Sequence, residues 1–195
     1  MSSPKPTLIL ASTSTYRARL LSRLGLPFQS VAPTTDETPR AAEIAEHRAA
    51  RLSREKALSV AAEHPGSLVI GSDQVASIDS RVLRKPGAEA IAIEQLSLAS
   101  GKTMVFYTGV CLCDGPAIVG ERLVETQVNF RPLSHEQICA YVRREPALDC
   151  AGSFRWEGLG ISLFESLHSE DPTALEGLPL IAVTDLLLEN SIEIY

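Results

Sequence analysis

The chain has 195 residues, enough for one large domain or two small lobes around a cleft, and long enough to bury a sizeable core. Apolar residues make up 45% and charged residues 22%, with a formal net charge of −6. This is a globular profile whose acidity argues against nonspecific nucleic-acid binding while leaving room for local basic pockets. The cysteines, Cys111, Cys113, Cys139 and Cys150, include no C-x-x-C pair and no His at finger spacing, so they read as buried or half-buried free thiols in a reducing cytosol. The opening MSSPKPT carries no apolar signal region, and no apolar run approaches the roughly 18 residues of a membrane span; a cytoplasmic location without membrane contact is expected.

In chain order, residues 7–12 read as a buried strand and residues 15–24 as a helix with Leu20, Leu21 and Leu24 on one face and Gly25 as its stop. A second strand is predicted at 28–33, and the Ala-rich stretch 41–63 reads as a long helix ended by His64-Pro65-Gly66. Another buried strand covers 67–73. Pro86 suits the first turn of a helix running to Ser100. Long strands are expected at 103–113 and 118–130 around the turn DGPA, then a helix over 135–145 opened by the capping box Ser134/Gln137, and a last apolar helix at 178–190. Elements alternate at the start and strands cluster in the middle, which implies α/β architecture with a mixed, strongly twisted sheet.

Strand ends in such sheets face a crevice, and three look chemically unusual. In LILASTSTYRARLLSRLG (8–25), Ser12, Thr13, Ser14 and Thr15 put hydroxyls and free N–H groups at a helix start, a ready anion site. Arg17 in that first turn opposes the helix dipole, which is easier to understand if an anion joins it. The same residues also read as an ordinary N-cap with solvated arginines. In APTTDETPR, Asp36 and Glu37 offer oxygen ligands suited to a hard cation such as Mg²⁺, or simply a solvated acidic loop. In VIGSDQV, Asp73 follows a very apolar strand, where it could hold a metal, take a proton from water, or make an Asx-turn. Lys85 precedes Pro86 at a helix start, another phosphate-like position. Lys56 lies mid-helix, where a decorated helix face would also explain it. Trp156 and Glu157, between glycines in CAGSFRWEG, are an oddity in an aromatic-poor chain. Together these residues form the inventory phosphoryl chemistry needs, and the absence of G-x-x-x-x-G-K-[ST] excludes a P-loop enzyme.

The ordered set LILASTSTYRARLLSRLG, DETP, REKA, IGSDQV, KP, FYTGV, CAGSF with EG, and GLPL resembles the Maf-like nucleoside triphosphate pyrophosphatases over nearly the whole chain, residues 1–195 as one domain. The resemblance implies an α/β fold with an elongated mixed sheet flanked by helices, and two lobes around a deep cleft, similar to the inosine triphosphate pyrophosphatases. It implies hydrolysis of a nucleoside triphosphate between the α- and β-phosphates with a divalent metal, Mg or Mn, and a homodimer. By the same resemblance Ser12, Arg17, Lys56 and Lys85 bind phosphate, and Asp73 and Glu37 are catalytic and hold the metal. Where the family motif is Ser-Pro-Arg-Arg, this chain reads Ser14-Thr15-Tyr16-Arg17, losing the rigid proline and the first arginine. Tyr16, Gln74 and Glu157 are expected to set substrate specificity, and they resemble the 7-methyl-GTP branch. An aromatic face stacks on the cationic N7-methylated purine, and a carboxylate accepts from guanine's N1–H and NH₂. The competing expectations are a dTTP/UTP pyrophosphatase of the same family and a non-catalytic nucleotide-binding regulator of cell division.

Overall fold

The computed structural model describes residues 6–195; the first five, part of the stretch read above for a signal region, lie outside it. Seven strands form one mixed sheet: β1 (Thr7–Ala11), β2 (Phe28–Val31), β3 (Ser67–Ile78), β4 (Arg81–Leu83), β5 (Thr103–Asp114), β6 (Ala117–Phe130) and β7 (Phe164–Ser169). The order is β2-β1-β3-β5-β6-β7, with β4 paired to β3. β1 runs parallel to β2 and β3; the remaining pairs are antiparallel. The helices are α1 (Thr15–Ser22), α2 (Ala45–Ala61), α3 (Glu89–Ala99), α4 (His135–Arg144) and α5 (Leu180–Glu189). Among the described residues no helix is long and apolar enough to cross a membrane.

The central strand β3 organises everything else. One of its edges is paired along most of its length by β5, from Leu68 to Ser77. The other edge is paired by β1 only as far as Ile70 and by β4 only from Ala76. Residues 71–75 therefore face a gap in the sheet. Side chains alternate across the strand. Val69 and Val75 pack toward α2, with Ala57 and Val60 around the first and Ala45 and Ala49 around the second. On the opposite face, Leu68 and Ile70 join a core made with α1 and α5, while Ala76 and Ile78 join a separate core made with α3, α4 and the Phe106/Phe130/Phe154/Phe164 cluster. The polar Ser72 and Gln74 fall between those two cores, which is the physical form the expected two lobes take.

Several boundaries differ from expectation for local reasons. The strand predicted at 67–73 continues to Ile78 because β5 keeps pairing beside it, so Asp73 sits mid-strand at the gap and not at a strand end. The helix predicted from 41 begins at Ala45. Ala42 has a left-handed φ of 54°, and the Glu43 carboxylate folds back to accept from the Arg40 backbone N–H and the Arg51 guanidinium. The helix predicted from Pro86 begins at Glu89, since Gly87 has a φ of 66°. β2 ends at Val31, before Pro33, and α5 spans Leu180–Glu189 within the predicted 178–190. β4, β7 and the 3-10 turns at Ala151–Ser153, Leu159–Leu163 and Pro172–Glu176 were not legible from periodicity. The capping box at Ser134/Gln137 is present as expected.

Close packing of α2 on the sheet depends on Gly71, with Gly109 nearby on β5. A Cβ on Gly71 would run into the Ser53 carbonyl oxygen and lie 2.5 Å from the Ala57 amide nitrogen, both main-chain atoms. Gly71→Ala must therefore push α2 outward. The expected loss is about 1–3 kcal/mol, read as a Tm lower by several degrees in a thermal melt.

Candidate active site

α1 starts where β1 ends, and Ser14 caps it, its hydroxyl oxygen accepting from the Arg17 N–H at 3.4 Å. Ser12 is buried, and its oxygen accepts from the Ser14 N–H at 3.1 Å, which curls the hydroxyl-rich turn around free backbone donors. Arg17 reaches across the cleft. Its Nε donates to the Gly177 carbonyl at 2.8 Å, and the Ser72 hydroxyl donates to that same carbonyl at 2.9 Å. Gly177 closes the Pro172–Glu176 turn at a φ of 95°, a conformation that suits glycine. Burial pushes the Arg17 guanidinium below its ordinary value, and Asp73 and Glu37 recover only part of this. A half-buried cation with incomplete compensation is one an incoming anion would stabilise.

At the β3 gap, Asp73 and the α2 residue Lys56 meet. The Lys56 ammonium donates to Asp73 Oδ1 at 2.6 Å and to Glu37 Oε1 at 2.7 Å. Lys56 is 6% exposed and Asp73 8%, while the Glu37 side chain is 57% exposed, so the pair is buried and the third member reaches solvent. Burial raises the Glu37 carboxyl, but the Lys56 hydrogen bond and the charges of Lys56, Lys85 and Arg17 outweigh it and hold it below its ordinary value. The loop carrying Glu37 is tied down by α2. Arg48 donates to the Glu37 carbonyl at 2.8 Å, and Arg51 donates to both Glu43 oxygens at 2.5 and 2.8 Å and to Glu55 at 2.9 Å.

That anchor is pH-sensitive. The Arg51 hydrogen bond leads the effects that, against burial, hold Glu43 down to about 2 from its ordinary 4.5. Its stabilisation is complete above the ordinary value and is lost as pH falls from there through about 2. Glu43→Gln should remove that dependence, so that stability in acid titrations changes less between those limits than in the wild type.

A cavity of about 380 Å³, the size of a small-molecule site, is lined by Arg17, Glu37, Lys56, Asp73, Gln74 and Lys85 among others. It opens into a second of about 500 Å³ that holds the Ser12–Thr15 turn. Asp36, the neighbour of Glu37, is not among the residues lining either cavity; its carboxylate accepts from the Thr38 N–H at 2.9 Å. Tyr16, which lines both cavities, has two guanidinium carbons near its ring, Arg155 at 5.7 Å and Arg19 at 5.9 Å from the centroid. Glu157 lies 3.9 Å from Arg19, which Glu176 holds at 3.0 Å. Gln74 donates to the Ala174 and Leu175 carbonyls at 2.8 and 3.0 Å, so its amide NH₂ fastens the Pro172–Glu176 turn to β3. Burial, then Cys150 and Asp149, push the Tyr16 phenol up. Burial followed by Asp149 raises the Cys150 thiol to about 11, so it offers no thiolate nucleophile at neutral pH.

Seen whole, the cleft is polarised. Arg17, Lys56 and Lys85 gather around Glu37 and Asp73, an excess of cations. Asp149, Glu157 and Glu176 gather with Arg19 and Arg155 around Tyr16, an excess of anions. The residues that sequence reading missed are Arg48, Arg51, Asp149, Arg155 and Glu176. Arg155 and Glu176 lie inside or beside stretches already singled out, and an arginine adjacent to Trp156 was the available signal.

A family model described as "Maf-like protein" matches residues 7–190. The chain belongs to the Maf-like family. Its Maf-like relatives include a protein of Nitrosococcus oceani named 7-methyl-GTP pyrophosphatase, 52% identical, covering 93% of this chain and 92% of that one. Proteins of the same name from Xanthomonas oryzae pv. oryzae and Pseudomonas aeruginosa are 53% and 50% identical, covering 94% and 97% of this chain and 96% and 99% of theirs. A solved HAM1 protein of Coxiella burnetii is 15% identical with a TM-score of 0.43, covering 64% of this chain and 73% of that one, too loose a likeness to carry argument.

Proposed function

We propose that this Maf-like protein is a nucleoside triphosphate pyrophosphatase that converts 7-methyl-GTP and water to 7-methyl-GMP and pyrophosphate. The observation that carries this reading is the charge pattern of the cleft, with surplus cations around Glu37 and Asp73 for a triphosphate and surplus carboxylates around Tyr16 for a cationic base. The names borne by the relatives support the same assignment.

The donor set fits a divalent cation. Glu37 and Asp73 already converge on one positive charge, the Lys56 ammonium, at 2.7 and 2.6 Å. Among the described residues no cluster of three or more His, Cys, Asp or Glu side chains is assembled, so the protein offers these two carboxylates and the triphosphate would complete the oxygen ligands. When bound there, Mg²⁺ or Mn²⁺ would neutralise phosphate charge and polarise the P–O bond.

The protein's own groups supply the rest. Asp73, rigidly held in β3, orients a water and accepts its proton as the oxygen attacks phosphorus and the bond between α- and β-phosphates breaks. The Lys56 ammonium, buried between Glu37 and Asp73, would donate to the pyrophosphate oxygens beside them. Arg17, whose Nε is committed to Gly177, offers its terminal Nη groups, and Lys85 adds a solvent-side charge. The free N–H groups of the Ser12–Thr15 turn meet the same anion. Gln74 acts on specificity by fixing the turn that carries Glu176.

The test is kcat/KM for 7-methyl-GTP, GTP, UTP and dTTP on the wild type and Tyr16→Arg, with pyrophosphate release as readout. The wild type should favour 7-methyl-GTP. Tyr16→Arg should lower that value by about tenfold or more while the uncharged bases change less. Preference for UTP or dTTP would make the chain a pyrimidine-directed member of the family, and absence of turnover would leave a nucleotide-binding protein.

A further inference from the structure

Around Tyr16 the two guanidiniums are paired differently. Arg19 is paired with Glu176 at 3.0 Å and approached by Glu157 at 3.9 Å. Arg155 has one acidic partner, Asp149 at 3.1 Å, and its Nε is buried with no hydrogen-bond partner. Its backbone, by contrast, is fastened: the N–H donates to the Tyr141 hydroxyl at 3.2 Å and the carbonyl accepts from Gly158 at 3.3 Å. The guanidinium's one ion pair, to Asp149, is the contact an incoming base would have to replace. Both Asp149 and Arg155 line the cleft, and Asp149 also lines the adjoining cavity at the Ser12–Thr15 turn.

The Arg155 guanidinium, a planar delocalised cation with N–H donors along one edge, lies where the proposed base would stack on Tyr16. An N7-methylated guanine is also a planar delocalised cation, and its N1–H and NH₂ form a similar donor edge. Two such cations at one ring repel, whereas a neutral purine can lie against the face of the guanidinium itself. Resting on the base assignment above, we propose that Arg155 and Asp149 are specificity-determining residues. Arg155 keeps the cation position at Tyr16 until a cationic base takes it, and Asp149, released, accepts from that base. The exchange conserves charge at this end of the cleft: one cation leaves its carboxylate and another arrives.

The experiment is calorimetric titration of the wild type, Arg155→Gln and Asp149→Asn with 7-methyl-GMP and GMP, products that undergo no further cleavage between phosphates. Both variants are first checked for a cooperative thermal melt. Arg155→Gln should tighten 7-methyl-GMP by about threefold or more and leave GMP unchanged or weaker, because the competing cation is gone. Asp149→Asn should weaken 7-methyl-GMP by about tenfold, and GMP less, since it removes the charged acceptor and leaves Arg155 unpaired. A discriminating wild type whose Arg155→Gln variant loses affinity for both nucleotides, or changes for neither, would overturn the inference alone and make Arg155 a phosphate or structural contact. A wild type that binds 7-methyl-GMP and GMP equally would overturn the base assignment itself.

Discussion

Asp73→Asn is expected to lower kcat by about three orders of magnitude while the fold and most nucleotide affinity persist. The substitution keeps size and leaves an amide oxygen that can still accept from Lys56, now 2.6 Å from Asp73 Oδ1. The strand around it is held by β5 on one side and by α2 packed on Gly71, so the backbone has no reason to shift. Charge is the only thing removed. A neutral amide neither accepts a proton from water nor binds a divalent cation as an anion does. On the proposed function, affinity would depend chiefly on Arg17, Lys56, Lys85 and the hydroxyl turn, all intact. The measurement is single-turnover pyrophosphate release alongside nucleotide titration. A well-folded variant with near-normal kcat would remove Asp73 from the chemistry.

What the sequence showed of this site was local. The hydroxyl turn, its helix and Arg17 lie within a few residues of one another, and the 135–145 helix carried its own start signal in Ser134 and Gln137. What it could not show were encounters between distant segments. Lys56 on a helix looks like surface decoration until the fold sets it against Asp73. The strand predicted at 67–73 already included Gly71, but only the fold shows that its lack of a side chain lets α2 descend to make that pair. Gln74 was read as a base-selecting residue. Its amide also fastens a turn a hundred positions away, with Ala174 O at 2.8 Å, an encounter the sequence does not display. β7 was missed because Phe164–Ser169 has weak alternation, being an edge strand whose pairing with β6 is local to residues 126–130.

Lys56→Met is expected to separate the two jobs of that ammonium. In the wild type it neutralises Glu37 and Asp73 at 2.7 and 2.6 Å, so a free divalent cation must displace a charge already in place. Mn²⁺ added without nucleotide should therefore bind weakly and leave Tm nearly unchanged. With methionine, two carboxylates face each other with no cation between them, and one of them, Asp73, is buried. The variant should be destabilised by about 1–3 kcal/mol in chelator, since an uncompensated buried charge is costly. Mn²⁺ should then bind the paired carboxylates and recover much of the lost Tm, as a ligand specific for the folded state must. Turnover should nonetheless fall by about a hundredfold, because the pyrophosphate loses a buried cation that the metal does not replace. Manganese titration by electron paramagnetic resonance, thermal melts with and without Mn²⁺, and kcat give three independent readouts. If Mn²⁺ binds the nucleotide-free wild type as tightly as the variant, Lys56 does not compete for the cation position and the proposed exchange of ammonium for metal is wrong.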